Sequence, residues 1–157
     1  RVGVIATEST VLSDAYGRAP RRRRPGLAVL SQACPLFVPL VEEGWQEDPV
    51  AEQVARRYLE PLVQAGIDTL VLGCTHYPLL ETVIRRIVGA GVELVDSAAA
   101  VADATARGLA LAGLAEASSA SSPEYHFCVT DSGDRFARIA RQILGDEQVS
   151  LELVDVG

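Results

Sequence analysis

Apolar positions along this chain alternate between short runs that suit strands and spacings of three and four that suit helices. Val2 to Ala6 is a β-branched apolar run, and Thr7-Glu8-Ser9-Thr10 follows with hydroxyls suited to a strand-to-helix turn. A helix is predicted over Ser9 to Tyr16. It runs towards Gly17 and the basic Arg21 to Arg24, and Pro25-Gly26 then turns the chain into a strand from Leu27 to Ser31. Cys34-Pro35 closes that strand, and Leu36 to Val41 is apolar up to Glu42-Glu43-Gly44.

Asp48-Pro49 is a helix start, with an N-capping carboxylate before a proline at the first helical position. Val50, Val54, Tyr58 and Leu62 then share a face, Pro61 is expected to kink the helix, and Gly66 ends it. Asp68 to Gly73 reads as a buried strand, Cys74 to Tyr77 as the loop at its end, and Pro78 as the opening of a helix with a broad apolar face from Leu79 to Val88. Val92 to Val95 is the next strand and Ala98 to Leu114 an alanine-rich helix. Ala117 to Ser122 reads as a linker, Tyr125 to Thr130 as a strand, Asp134 to Leu144 as a helix and Val149 to Val154 as a last strand. Such alternation predicts an α/β fold of mainly parallel sheets flanked by helices.

Composition narrows the function classes. Among 157 residues, 14 Lys and Arg stand against 21 Asp and Glu, a net charge of −7 that opposes a nucleic-acid or anionic-membrane partner. The arginine cluster therefore reads as a solvated helix end. No apolar stretch approaches the roughly 18 residues needed to cross a bilayer, and no secretory segment is visible. Three scattered cysteines make no disulfide framework and suit a reducing cytoplasm. The chain has no Met and opens at Arg1-Val2 inside a predicted strand, so the expectation is a piece of a longer protein.

In open parallel sheets, ligands bind at the carboxyl ends of the strands. Two loops there carry chemistry, Thr7 to Thr10 and Cys74 to Tyr77. A helix N-terminus and a nearby His both favour thiolate over thiol, and a thiolate can act as a base. Cys74 with His76 thus forms a candidate pair, set against the plainer alternative of a buried Cys beside a surface His. Cys34, Cys74, Cys128, His76 and His126 could each ligate a metal, but no Cys-x-x-Cys or His-x-x-x-His pairs them, so no metal site is expected. No glycine pattern for phosphate appears either, and no cofactor is expected. Glu42-Glu43 reads by itself as a solvated loop, and Asp131, Ser132 and Asp134 as turn and capping residues.

Leu72-Gly73-Cys74-Thr75-His76-Tyr77-Pro78-Leu79-Leu80 closely resembles the second catalytic cysteine motif of bacterial glutamate racemases. Val2 to Thr10 resembles the family's threonine-bearing strand and turn, with Ala6 where Gly is commoner. Ala33 to Gly44 resembles its acidic loop, and Val129 to Phe136 its C-terminal segment. The resemblance implies cofactor-independent interconversion of L- and D-glutamate for peptidoglycan synthesis, by two cysteines on opposite faces of the substrate α-carbon. It implies that Cys74 is one of them, that His76 and Glu42 assist it, and that Thr75, Thr7 and Thr10 hold the substrate.

The family's first cysteine, in an Ala-Cys-Asn-Thr string, is absent here, and Cys34 lies in a different motif. By the resemblance, residues 1–95 are a complete second domain and residues 96–157 the returning part of the first, so that the chain by itself is inactive and its partner is the missing N-terminal half. Unpaired strand edges also invite a homodimer. Alternatives at this stage are an aspartate racemase or related isomerase, and a noncatalytic interaction module.

Overall fold

The computed structural model describes residues 1–115, 125–131, 133–145 and 149–156, so the linker read at Ala117 to Ser122 and the turn residue Ser132 lie outside the described residues. Two compact units are present, Arg1–Leu111 and Ala112–Gly157.

The first unit runs β1 (Val2–Ala6), α1 (Glu8–Leu12), α2 (Ala15–Arg23), β2 (Val29–Ala33), α3 (Phe37–Glu42), α4 (Pro49–Gln64) and β3 (Thr69–Leu72). A 3-10 turn, Tyr77–Leu80, leads into α5 (Glu81–Val88), β4 (Glu93–Asp96) and α6 (Ser97–Leu111). Its sheet has the order β2-β1-β3-β4, and every pairing is parallel. The second unit contains β5 (Tyr125–Val129), α7 (Gly133–Leu144) and β6 (Val149–Leu153), with β5 and β6 parallel. The α/β architecture with parallel sheets is therefore the one the patterning predicts.

Local chemistry moves several boundaries. The single helix expected over Ser9 to Tyr16 is two helices. Ser13 donates its hydroxyl to the Thr10 carbonyl at 2.8 Å, and Asp14 takes a left-handed φ of 49°, which stops α1 before α2 begins. The apolar Leu36 to Val41 segment is mostly the short helix α3, burying Phe37, Leu40 and Val41. Helix α4 starts as expected, with the Asp48 carboxylate accepting from the Val50 amide at 2.7 Å, and ends before Gly66 at φ +70°. It continues through Pro61.

The buried stripe of α4 is Ala51, Ala55, Leu59 and Leu62, whereas Val50 is 45% exposed. The face is rotated from the predicted one because the two alanines let the helix approach its neighbours closely, leaving Val54 and Tyr58 at the margin. These residues join Ile5, Leu70 and Leu72 of the sheet and Val83, Ile84 and Val88 of α5 in one core.

One backbone position is set by crowding. A Cβ on Gly73 would sit 2.9 Å from the Ile5 carbonyl oxygen and 3.1 Å from the Ala6 Cβ, while the Gly73 amide donates to that same Ile5 carbonyl at 2.8 Å. Glycine lets β1 and β3 close at their carboxyl ends. Gly73→Ala should cost about 1–3 kcal/mol, read as a lower urea midpoint at unchanged m-value. Unchanged stability would show that β1 and β3 can part there without penalty.

Candidate functional site

The parallel pairing of Ile5 with Leu72 makes the two loops singled out in the sequence neighbours at one end of the sheet. After β3, Gly73 and Cys74 leave the strand, and the Tyr77 amide donates to the Cys74 carbonyl at 3.2 Å, closing a tight turn. The helix expected to begin at Pro78 starts instead as the 3-10 turn, and the α-helix proper begins only at Glu81.

Tyr77 fixes this turn to the rest of the fold. Its ring is fully buried, meets Phe37 edge-on at 5.2 Å, and its hydroxyl donates to the Cys34 carbonyl at 3.0 Å. Phe37 in turn meets Tyr58 edge-on at 5.4 Å. Burial raises the Tyr77 pKa, and the neighbouring thiols push the same way, so the hydroxyl keeps the proton it donates. The loop after β2, and with it α3, is thereby held against the loop after β3. Glu42 lies at the end of α3.

The result is a thiol, an imidazole and a carboxylate in sequence. Cys74 Sγ lies 3.9 Å from His76 Nδ1, and His76 Nε2 lies 3.7 Å from Glu42 Oε1. Both the His76 and the Glu42 side chains are 28% exposed, so solvent reaches them without drowning their interaction. The Thr75 hydroxyl approaches the same Nδ1 at 3.4 Å. Glu42 facing Nε2 favours a proton on that nitrogen, which leaves Nδ1 to accept from the Cys74 thiol. The spacing of His76 from Glu42 is an ion-pair distance, longer than a hydrogen bond.

Thr7 lies between β1 and α1 and Thr10 in α1 itself, with their hydroxyls 3.0 Å apart, and Ser9 approaches Thr7 at 3.3 Å. Thr7 stands at the N-cap of α1 without a side-chain capping bond. Glu42, which in isolation reads as a solvated loop residue, thus faces His76. The contributions of Gly73, of Tyr77 and of the Cys34 carbonyl were missed from sequence. A glycine closing a strand was the one available signal; the tyrosine's contact spans 43 residues and left none.

A parallel α/β sheet with a thiol, an imidazole and a carboxylate gathered at its strand ends defines a class of polar, acid–base sites. The model of the Asp/Glu/Hydantoin racemase family matches residues 1–105, and the chain belongs to that family. It is 48% identical to the glutamate racemase of Neisseria meningitidis serogroup A over all of its length, and spans 57% of that relative. It superposes on a glutamate racemase isoform of Bacillus anthracis at a TM-score of 0.87 and 35% identity, covering 99% of this chain and 57% of the other. It superposes equally on the Francisella tularensis glutamate racemase in complex with D-glutamate, TM-score 0.87 and 35% identity, with 98% and 57% covered. Among the described residues, no helix is long and apolar enough to cross a membrane.

The three cysteines differ in setting: Cys34 is buried, Cys74 half-buried and Cys128 exposed. Burial pushes the Cys34 thiol up from 9.0 to about 12. Because this group holds its proton more tightly in the folded chain, its contribution to stability is complete below pH 9 and is lost as pH rises towards 12. Cys34→Val should therefore flatten the alkaline loss of stability above pH 9 by up to about 1.4 kcal/mol per pH unit, measured by urea unfolding at successive pH values. An unchanged slope would remove Cys34 as a cause of that loss.

Proposed function

We propose that this chain supplies one of the two proton-transfer faces of a cofactor-independent glutamate racemase. The observation that carries the reading is the Cys74–His76–Glu42 series, at 3.9 and 3.7 Å, at the carboxyl end of a parallel sheet. As thiolate, Cys74 takes the α-proton of L-glutamate, and the electron pair of the broken C–H bond stays on the substrate α-carbon and spreads into its carboxylate. A thiol on the opposite face, contributed by a part of the longer protein, delivers a proton to that carbon and gives D-glutamate. One proton leaves and one arrives, and no electron is gained or lost, so the balance requires no cofactor.

In this reading His76 is the assisting acid and base beside Cys74, and Glu42 orients its ring. Thr7, Thr10 and Thr75 hold the substrate's polar groups. The names of the relatives support glutamate as substrate. D-glutamate is the form that peptidoglycan synthesis consumes, which assigns the activity to cytoplasmic cell-wall biogenesis and the maintenance of cell shape.

The domain reading belongs to the same proposal: residues 1–95 form one complete domain, and residues 96–157 return to the other. Helix α6 has no buried residue, as suits a helix whose sheet partners lie in the remainder of the enzyme. That remainder is the chain's main partner, and the edges of the β5–β6 sheet, unpaired among the described residues, suit association with a second copy.

A mixture of the 157-residue chain with glutamate should show no D-glutamate formation by coupled assay, because the Cys74 thiol cannot occupy both faces of the α-carbon and neither Cys34 nor Cys128 lies in a matching loop. Fusing it behind the N-terminal part of the Neisseria relative should restore turnover. In that fusion Cys74→Ser should slow deuterium uptake from L-glutamate at least 100-fold, and slow uptake from D-glutamate far less. Turnover by the chain alone, or equal loss from both enantiomers, would contradict the two-base reading.

A further inference from the structure

A second cluster of chemically capable side chains lies on the β5–β6 ladder. Parallel pairing sets His126 opposite Ser150 and Cys128 opposite Glu152. Side chains two residues apart on a strand share a face, so all four point the same way. The other face is apolar: Tyr125 stacks on Phe127 at 6.2 Å, and Phe127 meets Phe136 of α7 at 5.2 Å. His126, Cys128 and Glu152 are all exposed, and their donor atoms lie within 4.8 Å of one another.

We propose that His126, Cys128 and Glu152 form a binding site for a divalent transition-metal ion of the zinc class, with its fourth position open to solvent. Nitrogen, thiolate and carboxylate are the ligand types that such an ion takes. A tetrahedral site with bonds of about 2.0–2.3 Å has ligand-to-ligand edges of about 3.3–3.6 Å. His126 Nε2 already stands 3.1 Å from Glu152 Oε2, so only the thiol has to close in, by side-chain rotation.

The imidazole is also oriented for ligation. His126 Nδ1 lies 3.0 Å from the Ser150 hydroxyl, so once an ion replaces the proton between Nε2 and the Glu152 carboxylate, Nδ1 carries the ring's proton and donates it to that hydroxyl. Metal-binding histidines characteristically hold their second nitrogen in this way. Binding displaces the Cys128 thiol proton to solvent and leaves the ring neutral. The ion would tie two strands that by themselves form only a marginal pair. Linear spacing gave no sign of the site because strand pairing, and not sequence proximity, assembles it.

Cobalt(II) is the probe. Added to the reduced 157-residue chain, it should give a thiolate-to-cobalt charge-transfer band that saturates at a single equivalent and is bleached by zinc. Cys128→Ser should abolish the band, and His126→Ala or Glu152→Gln should weaken binding at least tenfold. Ser150→Ala should weaken it about tenfold through the orientation of His126. Cys74→Ser should leave the band intact, and circular dichroism establishes that each variant is folded. Absence of the band, or a band lost with Cys74→Ser and kept in Cys128→Ser, would overturn the proposal.

Discussion

The hydrogen bond from the buried Tyr77 hydroxyl to the Cys34 carbonyl is the constraint on which the candidate site depends. Its two partners belong to loops that follow different strands of the sheet. The first carries Cys74 and His76, and the second leads through α3 to Glu42. Neither loop is fixed at its tip by strand pairing, since β2 and β3 are not neighbours in the order β2-β1-β3-β4. The tyrosine spans that gap, with Phe37 packed edge-on against its ring to exclude water from the bond. An aromatic residue with a polar tip is suited to this task, because the ring gains from burial and the hydroxyl finds an acceptor.

A second constraint works from the sheet side. Parallel pairing of β1 with β3 brings Thr7 and Cys74 out at the same end, and the absent side chain of Gly73 lets the strands remain paired up to that end. Nothing at this position is conformationally unusual. Crowding against the Ile5 carbonyl, rather than backbone dihedral freedom, requires the glycine. The site therefore rests on a rigid frame of backbone contacts, while the acid–base groups are half-exposed and free to meet a substrate.

Much of the fold was legible in the sequence because patterning and caps act locally. The Asp48-Pro49 start, the Gly66 stop and the alternation of strands with helices all carry their cause within a few residues. Boundaries failed where side chains compete with the backbone, as Ser13 and Asp14 do between α1 and α2. The α4 stripe failed because small alanines at 51 and 55 decide how closely the helix packs, and periodicity counts them as weak. Cys74 and His76 were legible by proximity. A part for Glu42 beside Cys74 came only from a motif resemblance, its position facing His76 only from the fold, and the role of Tyr77 from neither sequence signal, because a contact across 43 residues leaves no local trace.

The claim that Tyr77 holds the Cys74 turn in place is tested most directly by native-state hydrogen exchange on Tyr77→Phe. Loss of one buried hydrogen bond worth about 1 kcal/mol should speed local opening about fivefold. The account predicts that increase at the Tyr77 and Leu79 amides, which donate to Cys74 and His76, and no change at the Gly73 and Cys34 amides, which donate to β1. Equal acceleration throughout the sheet, or none at the turn, would contradict it.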